Sequence, residues 1–326
     1  MRKTYTKSDL GRSFGLTLLV MLIAQVVLSA ILGQMVDEQG NMFDWAFWTL
    51  QALYSSCIGL TAFAYAKATK TNFLSATSAN KPPKAAHFCW GFLIDVCLVA
   101  VMWPLNTWIM QLLQKLTGNT YSVDMPMQLL PMLLIACVLP ALAEEFVFRG
   151  TIAQSLKNSK SRLGALALSG ALFALIHFNP AQTLHQFVLG ALLTLLMFRS
   201  GSIWTSVLVH LFNNVLAVAL SFAIPDESAI QPYFVWIFLA GLVCLAASVF
   251  GYLKTTKSTW VGNLPKKESA NVKGCEAENA ESGVDERNVA QSNLQSAEND
   301  VVGKVFFVIS VVVGALIWLL CLVVPQ

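Results

Sequence analysis

The sequence predicts an all-α protein built into a lipid bilayer: a polytopic transmembrane helical bundle of about nine spans with a cytoplasmic N-terminus. Three observations lead there. Hydrophobic residues fill 56% of the 326 positions and charged residues only 12%, against about 25% charged in a soluble domain. The apolar residues come in unbroken runs without period-two alternation, which excludes a transmembrane β-barrel. Lys and Arg gather on one alternate set of connecting loops, the asymmetry that orients helices in membranes.

The first run, 14–34, follows a basic start with Arg2, Lys3, Lys7 and Arg12. A cleaved signal peptide competes here, because Leu28-Ser29-Ala30 faintly matches a cleavage site. A run of about 19 apolar residues is long enough to span, however, and a retained first helix is expected. Segments 46–66 and 87–112 read as the second and third spans. The fourth, 128–157, is apolar up to Ala143 and then carries Glu144, Glu145 and Arg149. The fifth and sixth, 164–178 and 183–198, are short, and read either as spans lengthened by their flanks or as partly re-entrant. Segments 202–223, 233–253 and 304–324 complete nine. An eight-span arrangement would need one short segment not to cross, and would break the alternation of Lys and Arg.

That alternation puts Lys67, Lys70, Lys81, Lys84, Lys157, Lys160, Arg162, Arg199 and Lys254 on the inner side. The outer segments hold Lys115 with Asp37, Glu38, Asp44, Asp124, Asp226 and Glu227. The chain divides into N-terminal transmembrane helices (1–127), a membrane core (128–223), an eighth helix (224–254), a polar stretch (255–303) and a C-terminal span (304–326). The polar stretch is poor in aromatics and reads as a disordered cytoplasmic loop. Nucleic acid is excluded as a partner, since no basic patch is interleaved with aromatics. The seven cysteines show no metal-ligand spacing and imply no disulfide framework.

Once the loop charges are set aside, the spans retain Asp95, Glu144, Glu145 and Arg149. An ionised group at the bilayer centre costs roughly 2.5–3.5 kcal/mol or more, and such groups line polar cavities that have a function. Glu145 and Arg149 stand i, i+4 with the acid first, the better order for a helical ion pair. Glu144 has no such partner on its own helix. Two histidines also lie inside spans: His177 ends LFALIH, and His210 shares a helical face with Asn214, four residues on. At about 1.5 Å per residue, Glu144 and His177 each lie ~20 Å from the basic end of their helix, and His210 ~12–15 Å. Three helices thus bring a carboxylate and two imidazoles to comparable depth. Pro140, four residues before Glu144, removes a helical hydrogen bond, which bends the helix and admits water near the carboxylate.

These residue types suit hydrolysis. A carboxylate serves as general base toward water, and imidazole and carboxamide N–H groups stabilise an oxyanion. The other route is a divalent metal such as Zn²⁺ held by Glu144, His177 and His210 with water on an open position. Neither G-x-S-x-G nor H-E-x-x-H occurs.

EEFVFRG (Glu144 to Gly150), FALIH (Phe173 to His177) and HLFNN (His210 to Asn214) resemble, in order, the E-E-x-x-x-R, F-x-x-x-H and H-x-x-x-N motifs of the CPBP intramembrane proteases. That family includes the type II CAAX prenyl endopeptidases and the bacterial Abi proteins. The resemblance covers about 130–220 and implies that 128–223 is a catalytic membrane core. It implies an intramembrane endopeptidase, a hydrolase acting on membrane-associated proteins or peptides within the lipid bilayer, and a bacterial inner (plasma) membrane location. Carried over, Glu144 looks like the base that activates water. His177 would position that water or ligate a metal, and His210 with Asn214 would form the oxyanion site. Glu145 and Arg149 would hold the helix and the first glutamate. Both a metalloprotease and a metal-free glutamate mechanism are argued for the family, so zinc and no cofactor both stay open. Two other readings of the same charges are a transporter with a proton relay and a non-catalytic scaffold in bacteriocin immunity.

Overall fold

A computed structural model describes residues 4–121, 125–159, 161–260 and 286–323, the last with backbone alone up to residue 299. The first helix, α1 (Lys7–Leu32), starts where the Asp9 carboxylate accepts the Thr6 N–H at 2.7 Å. Then come α2 (Asp44–Ala68), α3 (Ala85–Thr117) and α4 (Leu129–Leu156). The second half adds α5 (Arg162–Leu175), α6 (Thr183–Ser200), α7 (Ile203–Ala223), α8 (Phe234–Thr255) and α9 (Glu286–Val323). Among the described residues no strand occurs; Val36 and Met42 form an isolated bridge.

Each of the nine expected segments is helical. Seven are long and apolar enough to cross a membrane, namely α1, α3, α4, α6 with its preceding turn, α7, α8 and the part of α9 from Asp300. The other two are α2 and α5. With 25 residues α2 is long enough, but Gln51, Ser55, Ser56 and Thr61 make it less apolar. The 14 residues of α5 reach only ~21 Å, short of the ~30 Å hydrocarbon core. This helix ends at Leu175, so His177 sits in the turn after it rather than on the helix, and Phe178 beside it takes a left-handed φ of 48°.

The stretch expected to be a loop, 255–303, differs in part. α9 reaches back to Glu286, so 286–303 are helical. The reason lies in composition: this stretch has no proline and its only glycine is Gly303, so no strong helix breaker interrupts it. Lys304 and Asp300 pair at i, i+4 across 2.7 Å. Before it, Trp260 is buried against Phe198, and its indole N–H donates to the Lys157 carbonyl. Residues 261–285 lie outside the described set, as do Arg2, Lys3, Asp124 and Lys160.

Two apolar clusters flank the centre. Phe14, Ile58, Phe148 and Phe173 join α1, α2, α4 and α5. Ile94, Leu98, Leu193, Val209 and Tyr252 join α3, α6, α7 and α8. α1 and α9 pack so closely that a Cβ on Gly11 would strike the Gly303 carbonyl, an example of small residues letting membrane helices touch. Between the clusters, α4, α5, α6 and α7 meet around polar side chains.

Candidate active site

α4 is not a uniform α-helix. Met132–Val138 and Phe148–Ile152 are π-helical turns, one on each side of the α-helical segment that carries Glu144 and Glu145. The first runs up to Pro140, whose ring lacks an N–H and crowds the carbonyl four residues back. A wider turn absorbs that clash, and the Leu139 N–H reaches the Leu134 carbonyl instead. Such π-bulges are frequent at functional sites. Here the distortion expected from Pro140 takes the form of the π turn at Met132–Val138.

Glu145 and Arg149 form an ion pair of 2.7 Å, and both side chains are fully buried. Arg149 is held further by the Gly190 carbonyl at 3.1 Å, and its guanidinium lies 4.3 Å from the centre of the Phe173 ring. The oxygen of Glu145 that takes the guanidinium, Oε1, is also 2.9 Å from Nδ1 of His210. A carboxylate here accepts, so His210 donates from Nδ1. His177 makes the parallel contact: its Nδ1 donates to the Phe173 carbonyl at 2.7 Å. In both rings Nε2 is left to face the site. Phe173 meets the two rings edge-on, its centroid 4.7 Å from that of His177 and 5.9 Å from that of His210.

Both Nε2 atoms converge on Glu144. Its Oε2 lies 3.9 Å from Nε2 of His177 and 4.0 Å from Nε2 of His210. That oxygen is buried and has no hydrogen-bond partner within the protein. Glu144, His177, His210 and Asn214 bound one cavity of about 230 Å³. The Asn214 amide reaches the Cys137 carbonyl at 3.4 Å. The six residues singled out by sequence are thus in one place. Glu144, His177, His210 and Asn214 face the cavity, with Glu145 and Arg149 buried behind His210.

The far wall of the cavity comes from α2, through Trp48, Gln51 and Ser55, a contribution that motif reasoning missed. A signal was present: polar residues at helical spacing inside an otherwise apolar run. Asp95 stands apart. It is buried, and one of its oxygens accepts the Asn213 amide at 3.0 Å.

The donor types around Glu144 are those that zinc takes, and each imidazole has its other nitrogen held by an acceptor, as metal-bound histidines do. The spacing does not fit. Two ligands of one tetrahedral zinc stand ~3.3 Å apart, less than the 3.9 and 4.0 Å here. Among the described residues no group of three or more His, Cys, Asp or Glu is placed to hold a metal ion. The separations of 3.9 and 4.0 Å are too long for direct hydrogen bonds between Glu144 and the imidazoles.

Fold and site together define an integral multi-pass membrane protein with a buried Glu–Arg–His cluster and an adjoining carboxylate in the middle of its bundle. Residues 126–216 match the model of a protein family described as type II CAAX prenyl endopeptidase Rce1-like. This part of the chain, somewhat over a quarter of its length, is thus similar to that family, in line with the CPBP resemblance of its three motifs. Comparison with curated proteins found no match, and comparison with solved structures found none either.

Proposed function

We propose that this protein is an intramembrane endopeptidase that hydrolyses peptide bonds of membrane-associated proteins or peptides, with Glu144 as general base. The observation that carries the reading is the meeting of Glu144, His177 and His210 within 4.0 Å, from three separate elements, inside the segment that matches the protease family.

The chemistry follows from the donors and acceptors. With both Nδ1 positions donating, neutral imidazoles would set two lone pairs against the Glu144 carboxylate. Counting Glu144, Glu145 and Arg149, that cluster also carries a net charge of −1. One added proton cancels the net charge and replaces one of the two lone pairs with a donor. Placed on His210, it gives an imidazolium that donates from Nδ1 to Glu145 and from Nε2 into the cavity. His210 and Asn214 then form the pair of donors that an oxyanion needs.

In the proposed reaction a water donates one hydrogen to Glu144 and the other to Nε2 of His177. Glu144 takes a proton as the water oxygen bonds to the peptide carbonyl carbon. The carbonyl π-electrons move onto oxygen, where His210 and Asn214 hold the charge. The tetrahedral species collapses, the C–N bond breaks, and Glu144 returns its proton to the leaving nitrogen. The products are a carboxylic acid and an amine, which become a carboxylate and an ammonium once the acid proton passes to the amine. No step runs through a metal.

Orientation belongs to the same proposal. Lys81, Lys157, Arg162 and Arg199 lie at one end of the bundle, the two arginines bonded to the Thr256–Trp260 segment. That end is the cytoplasmic one if Lys and Arg orient the chain as they commonly do, which puts the N-terminus inside. A bacterial inner membrane is the setting proposed, with the bilayer and a membrane-anchored peptide chain as partners. The test is a proteoliposome assay with a library of membrane-anchored peptides, with termini mapped by mass spectrometry. New carboxyl and amino termini at an unchanged rate in the presence of a zinc chelator are expected. Solute flux without new termini would overturn the reading in favour of transport.

A further inference from the structure

α7 has a second polar face. His210 and Asn214 look into the cavity of Glu144, whereas Asn213, one residue round the helix, bounds a separate cavity of about 270 Å³ between α3 and α7. Val99, Trp103, Asn106 and Met110 line it from α3 at helical spacing, and His185 closes one side from the start of α6. Its walls are largely apolar. Two of the polar side chains that bound it hold buried atoms with no partner in the protein, Oδ1 of Asn106 and Nε2 of His185. A third such atom, Oδ2 of Asp95, lies just behind, on the carboxylate that holds Asn213.

The two residues form one couple, since Nδ2 of Asn106 is 3.4 Å from Nδ1 of His185. If the amide donates, the ring keeps an N–H at Nε2 and the amide keeps a free carbonyl. If the amide is turned round and the ring donates, the ring keeps a lone pair and the amide a free NH₂. Either way the couple presents one donor and one acceptor. At the other end both oxygens of Glu227 already accept hydrogen bonds, from Trp103 at 2.6 Å and Thr107 at 3.3 Å, so the Asn106–His185 couple is the unpaired polar feature that a ligand would meet. The complementary ligand is neutral, accepts once, donates once from a different atom, and carries an apolar body. An amide with an aliphatic side chain meets all four conditions, whereas a hydroxyl offers both functions from a single atom.

We propose that the cavity between α3 and α7 is a second binding site, separate from that of Glu144, for a neutral peptide unit with an aliphatic side chain. The peptide C=O and N–H pair with the Asn106–His185 couple, and the side chain lies against Val99 and Met110. Unpaired buried polar groups are costly, so the couple gains from such a ligand whatever reaction occurs on the other face of α7.

The test uses the full chain in nanodiscs and N-acetyl-photoleucine methylamide, a photoreactive aliphatic amide, with labelled residues mapped by mass spectrometry. Saturable labelling within 99–110 of α3 or 213–223 of α7 is expected, displaced by N-acetyl-leucine methylamide. The methyl ester, which lacks the N–H, should compete about tenfold more weakly because one hydrogen bond is lost with a buried group left unpaired. Glu144→Gln should label as the native chain does, which separates this site from the proposed protease activity. His185→Phe should lower the labelling. Labelling that does not saturate, competition by the ester or by dodecanol as strong as by the amide, or labelling confined to the Trp48–Ser55 wall would each overturn the proposal. The ester and dodecanol comparisons use the native chain, so they stand even if the His185 variant fails to fold.

Discussion

Two adjacent glutamates have separate surroundings. Glu145 is fully buried and shared by Arg149 and His210, whereas Glu144 borders a cavity and has a buried oxygen without a partner in the protein. Their substitutions should therefore differ. Glu145→Leu leaves the Arg149 guanidinium buried without its acid and should destabilise the protein by about 3–5 kcal/mol, read as a lower melting temperature in detergent. Glu145→Leu with Arg149→Met removes both charges and should regain much of that loss; a double variant no more stable than the single one would contradict a buried ion pair. Asn214→Ala, which deletes one proposed oxyanion donor, should lower kcat by about 10²–10³-fold with little change in melting. The Glu145–Arg149 pair was legible in the sequence because i, i+4 spacing is a property of one helix. The His210–Glu145 hydrogen bond was not, because it depends on how α4 and α7 approach each other.

At the scale of elements, the site rests on departures from regular helix. The π turn before Pro140 widens α4 ahead of Glu144, and α5 stops short so that His177 falls in a turn. Pro140→Ala restores the missing N–H and removes the clash that the wide turn absorbs. It should lower cleavage while leaving the protein as stable or more so, which activity and melting measured on the same sample will show. Gly11 has no space beside Gly303, so Gly11→Val should loosen α1 from α9 and lower the melting temperature. An unchanged melting curve would show that this contact matters little. Proline signals a distortion in sequence, but whether the chain answers with a kink or a π turn is settled by neighbours. Helix length was only half legible: the shortness of α5 could be read, while the start of α9 at Glu286 was obscured by the polar composition of its first turns.

For the whole molecule, the helical class followed from hydropathy alone, because a chain this apolar has few other ways to satisfy its backbone in a bilayer. Depth along each helix, counted from the basic loops, was enough to set Glu144 level with His177 and His210, and in the structure they stand within 4.0 Å. Depth carries no information about which helices are neighbours, so the wall that α2 adds through Gln51 and Ser55 could not be anticipated. The proposed orientation makes its own prediction. In a chain freed of native cysteines, Lys67→Cys should be shielded from a membrane-impermeant maleimide added outside intact cells, and Gln39→Cys should react. The opposite pattern would invert the topology.

The central claim is that Glu144 is the base, and its most direct test is cleavage of a membrane-anchored peptide in proteoliposomes by the native chain and by Glu144→Gln. A glutamate base predicts that Glu144→Gln melts as the native protein does, still binds the peptide, and loses at least about 10³-fold in turnover, within the range that general base catalysis contributes. Native-level turnover by a folded Glu144→Gln protein would contradict it.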